Sequence, residues 1–137
     1  MKKPKVAFIC VHNSCRSQMA EAISKLIAED TFDCFSAGTH IKDKINEDAV
    51  RTIKELYNID MEKTQKSKLI NSIPPVDIVI TMGCNVDCPN LDSKHREDWG
   101  LSDPTGLSKD EFIKSAKTIE LKIINLLDRI NDGIIKL

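Results

Sequence analysis

A thiol and a guanidinium stand six residues apart in Cys10-Val11-His12-Asn13-Ser14-Cys15-Arg16-Ser17. Before them runs Lys5-Val6-Ala7-Phe8-Ile9, a short β-forming segment, and after them Gln18-Met19-Ala20-Glu21-Ala22-Ile23 reads as helix. Cys10 is therefore expected where a strand stops and a helix is about to begin. A loop at that point turns backbone N–H groups inward, and the helix start adds partial positive charge. Arg16 contributes a fixed fork of donors suited to a tetrahedral oxyanion. The same field favours the thiolate of Cys10. Nucleophile and anion cradle would then be one object, with Val11, His12, Asn13, Ser14, Cys15, Arg16 and Ser17 around the substrate. A Cys and an Arg at this spacing also occur by chance, as a buried thiol beside a surface arginine. The strand and helix on either side favour the anion site.

Other residues could serve such a site. Asn13 could pin the loop through its side chain, and Ser14 and Ser17 could donate to Cys10 or to a bound anion. In Asp103-Pro104 the proline confines the aspartate to extended backbone, which fixes where its carboxyl points. A carboxylic acid beside a bound anion is favoured in its protonated form and could protonate a departing oxygen. Alone, Asp-Pro is more often a turn. Met82-Gly83-Cys84-Asn85-Val86-Asp87-Cys88-Pro89 carries two further thiols in a stretch suited to rearrangement. They could exchange disulfides with Cys10. They could also be half-buried loop thiols, or ligate zinc with His95, although a Cys-x2-Cys knuckle is missing. Cys15 reads as auxiliary, able to protect Cys10 as a disulfide, and Cys34 as core packing. His12 could face solvent or bond the backbone, and His95 with Arg96-Glu97-Asp98 reads as a solvated charged strand end.

These residues need a frame. Phe32–Ser36 is expected as a second strand, closed by Ala37-Gly38, and Val76–Met82 as a central one with mostly continuous apolar character. His95–Trp99 reads as a further short strand. Asn46–Leu56 has helical spacing at 49, 50, 53 and 56, with Asn46 as N-cap. Ser67–Ser72 reads as a short helix stopped before Pro74-Pro75. Ser108–Ile130 is a long amphipathic helix, with Ser108 and Glu111 in a capping-box pattern. Strands alternating with helices imply an α/β three-layer sandwich around a four-stranded parallel sheet. Ligands in such sheets bind beyond the carboxyl ends of strands, and both Cys10 and Cys84 follow such ends.

Composition narrows the function classes. At 137 residues the chain reads as one domain, 1–137, long enough to bury roughly two-thirds of its unfolded surface. Twenty basic and 21 acidic residues leave a net charge of −1, which argues against nucleic acid or membrane as partner. No apolar run approaches the ~20 residues of a membrane span. Met1-Lys2-Lys3-Pro4 leads straight into a strand and lacks a signal peptide's apolar region. A cytoplasmic protein is expected. Five cysteines, an odd number, fit catalytic or redox thiols better than a closed set of structural disulfides.

Taken together, the loop with its flanks, Ser36-Ala37-Gly38-Thr39 and Asp103-Pro104 resemble the low-molecular-weight phosphotyrosine phosphatases. Within that superfamily the nearer resemblance is to the thioredoxin-coupled arsenate reductases. It spans nearly the whole chain and is strongest at 6–22, 36–39, 79–89 and 95–106. The resemblance implies a catalytic set of Cys10, Arg16, Cys84, Cys88 and Asp103, with Asp103 as general acid. Arsenate, shaped and charged like phosphate, would join to Cys10. Cys84 would attack the adduct, releasing arsenite and leaving Cys10–Cys84. Cys88 would exchange to Cys84–Cys88, and thioredoxin would reduce that bond. Many relatives have a longer gap between the last two cysteines, so Cys-x3-Cys leaves the order of Cys84 and Cys88 open.

Some relatives hold potassium near the loop. Asn13, Glu21 and Ser36 match those positions, but Lys68 stands where a carboxylate would be. No strong potassium dependence, no metal and no cofactor are expected, and the chain is expected to be a monomer. Two other readings remain open. One is a small phosphotyrosine phosphatase, although Thr105-Gly106-Leu107 offers no aromatic platform after Asp103-Pro104. The other is a thiol-based metalloid sensor without turnover. Trp99, the one tryptophan, is expected to pack near Asp103.

Overall fold

The computed structural model describes residues 3–40, 42–83 and 91–137. Four strands, β1 (Lys5–Cys10), β2 (Asp33–Gly38), β3 (Ile78–Thr81) and β4 (His95–Asp98), form one parallel sheet in the order β2-β1-β3-β4. The helices are α1 (Arg16–Ile27), α2 (Glu47–Tyr57), α3 (Met61–Thr64) and α4 (Lys109–Asn131). This is the expected four-stranded parallel α/β architecture.

Periodicity explains most of it. β1 and β3 are central, and every residue from Val6 to Cys10 and from Ile78 to Thr81 is buried, as a parallel strand covered on both faces requires. Side chains alternate between faces. Val6, Phe8, Ile78 and Ile80 join the main core with α1, α2 and α4, whereas Ala7, Ile9, Ala37 and Val79 form a smaller core on the other face. Ile70, Ile73, Val76 and Leu91 cover that second face. The two faces are therefore covered unequally. α4 buries Phe112, Ala116, Ile119, Ile123 and Leu126, a stripe at helical spacing. Asn46 caps α2 by accepting from Ala49 N at 3.0 Å, and Asn58 ends it in the left-handed region.

Two expectations need correction, and one helix had no counterpart among them. Ser67–Ser72 is not a helix; only a 3-10 turn at Ile70–Ser72 forms. Lys68 N donates to Asn13 Oδ1, Lys68 O accepts from Gly38 N, and Leu69 bridges Gly38. Neighbouring elements thus take the backbone groups a helix would need. α3 was not legible, although Asp60 caps it by accepting from Glu62 N and Met61 is buried. Ser108 stands before α4 but makes no side-chain cap; its carbonyl accepts from Glu111 N.

β4, His-Arg-Glu-Asp, is polar for a strand, and its inward residues are His95 and Glu97. Glu97 explains how it packs. Arg129 of α4 donates to both Glu97 oxygens at 2.8 Å, and His95 Nε2 and Trp99 Nε1 lie 2.7 and 2.8 Å from them. The Trp99 ring packs on Phe8 with centroids 5.6 Å apart, so it belongs to the core under β1. Burial pushes the Glu97 carboxyl up, but the bonds from Arg129, His95 and Trp99 outweigh it and hold it at about 2. His95 thus serves a carboxylate, which weakens its reading as a zinc ligand.

A folded-state value below the unfolded one means stability present above the ordinary glutamate range and lost as pH falls toward about 2. Glu97→Gln should lower stability by about 2 kcal/mol at pH 7. The gap from wild type should narrow below pH 4, and urea denaturation at pH 7 and pH 3 would measure it. An equal gap at both values would mean Glu97 acts through shape alone.

Candidate active site

β1 ends on Cys10, and α1 starts at Arg16. The loop between them is set by where its carbonyls go. Val11 O accepts from His40 N (2.8 Å) and Thr39 Oγ1 (3.2 Å), and His12 O from Ser67 Oγ (3.0 Å). Asn13 O accepts from Gln18 Nε2 (3.0 Å), Ser14 O from Asn46 N (2.7 Å) and Cys15 O from Met19 N (2.9 Å). Among the described residues every peptide is trans, so each following N–H points away from its carbonyl. The amides of residues 12–16 are thereby turned to the side opposite these acceptors. Asn13 N shows the result, donating to Cys10 Sγ at 3.2 Å.

Two residues make the curvature possible. Asn13 takes a positive φ of 49°, which asparagine tolerates better than most side chains. Its Nδ2 donates to Ser17 Oγ (2.9 Å), which lies 2.8 Å from Cys10 Sγ, and its Oδ1 accepts from Gln18 Nε2 and Lys68 N. Asn13 is the pin the sequence suggested. Gly38 ends β2 against the loop, and a Cβ there would lie 2.6 Å from Val11 O and 2.9 Å from Asn13 N.

Above Cys10 lies a cavity of about 250 Å³, lined by Cys10, Val11, His12, Ser14, Cys15, Arg16, Lys42, Asp103 and Thr105. Arg16 Nη1 donates to Met82 O (2.6 Å) and Leu101 O (2.7 Å), while Nη2 lies 3.9 Å from Asp103 Oδ2. Thr105 donates to Asp103 Oδ1 from both N (3.1 Å) and Oγ1 (2.7 Å). Partial burial pushes the Asp103 carboxyl up, but the Thr105 bonds and then the charges of Arg16 and Lys42 outweigh it. The net shift is downward, which favours the Asp103 carboxylate. A larger hollow of about 600 Å³ beside α2 is lined by charged groups such as Lys44, Glu47 and Arg51 and holds no thiol.

The structure therefore brings together Cys10, Arg16 and Asp103 with Val11, His12, Ser14 and Cys15. Asn13 and Ser17 act from beneath the loop. Cys84 and Cys88 lie outside the described residues. Cys15 is 4 % exposed, and burial, then Asp103, pushes its thiol up to about 12. Burial pushes half-buried Cys34 up to about 12 as well, consistent with packing. The exposed His12 ring stands 6.0 Å from His40 at the mouth. Sequence reasoning missed Lys42 and Thr105 in the cavity; a hydroxyl two residues after an aspartate was the available signal for Thr105.

Beneath the loop, Glu21 is 4 % exposed. Ser36 Oγ donates to its Oε1 at 2.6 Å, Lys68 Nζ lies 3.5 Å from the same oxygen, and Lys25 Nζ lies 2.6 Å from Oε2. Two ammonium groups thus neutralise the carboxylate that the resemblance associates with a cation.

Comparisons with known proteins agree with this geometry. The sequence profile of the family described as low molecular weight phosphotyrosine protein phosphatase matches residues 5–134. Arsenate reductase 1 of Staphylococcus epidermidis is 38 % identical over 137 residues, covering 95 % of this chain and 100 % of that protein. A solved structure described as an arsenate reductase in the phosphate binding state superposes with a TM-score of 0.82 at 32 % identity, covering 95 % of this chain and 99 % of the other. A thioredoxin-dependent arsenate reductase of Corynebacterium glutamicum gives a TM-score of 0.74 at 30 % identity, covering 96 % of this chain and 64 % of the other.

Lys68 next to Glu21 predicts equal thermal midpoints in potassium and sodium chloride at matched ionic strength. A potassium-specific gain would show the ammonium displaced by a cation. Lys68→Ala should lower stability by about 2 kcal/mol, measured by denaturation.

Proposed function

Since the chain belongs to the low-molecular-weight phosphotyrosine protein phosphatase family, and relatives of full length are arsenate reductases, we propose that it reduces arsenate to arsenite with thioredoxin as electron donor. The observation that carries the reading is the convergence of Arg16 and Asp103 on one small cavity above Cys10 Sγ. Two more thiols in the sequence, Cys84 and Cys88, supply what reduction needs beyond phosphate-type chemistry.

Arsenate enters against the loop amides and Arg16. Its negative charge opposes the charge on Asp103 and favours the protonated acid. Cys10 thiolate attacks arsenic, and Asp103 protonates the departing oxygen, which leaves as water. Cys84 thiolate then attacks the Cys10 sulfur. The sulfur–arsenic bonding pair stays on arsenic, which leaves as arsenite, and Cys10–Cys84 forms. Cys88 attacks Cys84, freeing Cys10 thiolate and forming Cys84–Cys88. A thioredoxin dithiol reduces that disulfide, as the description of the Corynebacterium relative suggests for a donor. Cys15 stays protonated at neutral pH because burial holds it at about 12, so it does not compete as nucleophile. No cofactor enters the cycle. Among the described residues no helix is long and apolar enough to cross a membrane.

Phosphate-ester hydrolysis is a secondary reading of the same site, because Cys10, Arg16 and Asp103 suffice for it. Thr105 is bound to Asp103 where an aromatic platform would be needed, which favours a free oxyanion over a phenyl ester.

Arsenate-dependent NADPH oxidation with thioredoxin and its reductase tests the proposal, run beside glutaredoxin with glutathione. Turnover is expected with thioredoxin, and none with any thiol donor would end the reading. Cys10→Ser should abolish reduction and p-nitrophenyl phosphate hydrolysis. Cys84→Ser and Cys88→Ser should abolish reduction and spare hydrolysis; loss of both would make those thiols structural. Asp103→Asn should slow the first step by about 10²–10⁴-fold.

A further inference from the structure

Asp98, the last residue of β4, pairs in register with Thr81 of β3 and lies beside the carboxyl ends of both strands. Its Oδ1 accepts from Thr81 Oγ1 at 2.7 Å and from Gly83 N at 2.9 Å. Its Oδ2 accepts from Gly100 N at 3.1 Å. Arg16 Nη1 reaches the same two chain segments from the other side, donating to Met82 O and Leu101 O at 2.6 and 2.7 Å. The Met82–Gly83 peptide is thus held at both ends, its carbonyl by Arg16 and its amide by Asp98. A peptide unit is rigid, so turning the amide turns the carbonyl with it. On the neighbouring segment, Gly100 N goes to Asp98 and Leu101 O to Arg16.

Both hinges are glycines with positive φ, 93° at Gly83 and 59° at Gly100. A Cβ at Gly83 would lie 2.7 Å from Leu101 O, so the two backbones touch directly. With no side chain to fix either residue by packing, hydrogen bonds must hold their orientation. Asp98 supplies them.

We propose that Asp98 is a positioning residue for Arg16. By fixing the Gly83 amide it aims the Met82 carbonyl at Nη1, and by fixing the Gly100 amide it anchors the segment that carries the Leu101 carbonyl, which together hold the guanidinium with Nη2 toward Asp103 and the oxyanion. The inference rests on the oxyanion chemistry proposed above for Cys10 and Arg16. It does not require that the oxyanion be reduced.

Two measurements test it without turnover. The Arg16 guanidinium proton resonances, assigned by their loss in Arg16→Lys, should be resolved in the wild type because Nη1 is held. They should broaden or collapse in Asp98→Ala. The dissociation constant for inorganic phosphate, by calorimetry, should rise roughly tenfold in that variant, the scale of one weakened charge-assisted bond. Asp98→Asn keeps an oxygen for Gly83 N and Thr81 Oγ1, so it should recover most of the affinity. Thr81→Val removes one bond to Asp98 but neither amide bond, so it should bind phosphate as the wild type does. Unchanged Arg16 resonances in Asp98→Ala would overturn the proposal, whatever happens to its melting temperature. So would an equal loss of affinity in Thr81→Val, which would assign the effect to strand cohesion. If the resonances and affinities respond as stated while the wild type fails to reduce arsenate, the reductase reading falls and the role of Asp98 stands.

Discussion

The direction of five peptide units governs this molecule. Each carbonyl from Val11 to Cys15 is taken by a donor outside the cradle, and the trans geometry then commits the amides to the other side. Local sequence alone could not impose this. The donors come from the residues after β2, from Ser67, from the N-cap of α2 and from the first turns of α1. A parallel sheet is well suited to the task because its strands' carboxyl ends, and the connections that follow them, gather on one side. The loop is short, and the rest of the chain is arranged to occupy its acceptors.

The same loop carries two thiols in different surroundings, both close to the start of α1. Cys15 is the N-cap residue of α1, where a helix dipole would by itself favour a thiolate. Burial works against that, and Asp103 adds a like charge, so the thiol is pushed up to about 12. Arg16 and the bond from Thr105 act in the opposite sense and lose. Cys10, at the end of β1, instead receives Asn13 N and lies beside Ser17 Oγ. Nearness to a helix start does not by itself make a thiolate; at Cys15 burial and the charge of Asp103 outweigh it.

What was legible in the sequence follows from how local each signal is. β1, β3 and α4 were readable because period and burial coincide over a whole element. The strand–loop–helix around Cys10 was readable because its chemistry and its backbone change occur in the same eight residues. Ser67–Ser72 misled because Asn13 and Gly38 claim its backbone groups from far away in sequence. Glu97 looked like part of a solvated charged run, and its true setting depends on Arg129, 32 residues later. The partners of Arg16 Nη1 are backbone carbonyls, which carry no residue-type signal at all. Thr105 was noted as a missing aromatic, whereas it holds the aspartate in place.

That last difference bears on what the cavity accepts. Thr105 turns its hydroxyl back onto Asp103 and leaves no ring to stack on a phenyl group. Lys42, His12 and Arg16 line the opening instead, so polar and cationic groups meet whatever enters. Among the described residues that line the cavity only Val11 is aliphatic, whereas a tetrahedral oxyanion draws its recognition from donors and charge. The polar and cationic rim suits an anion on the same physical grounds as Cys10 and Arg16. Thr105, Arg16 and Lys42 favour the ionised form of Asp103, and the negative charge of a bound anion would act in the opposite sense.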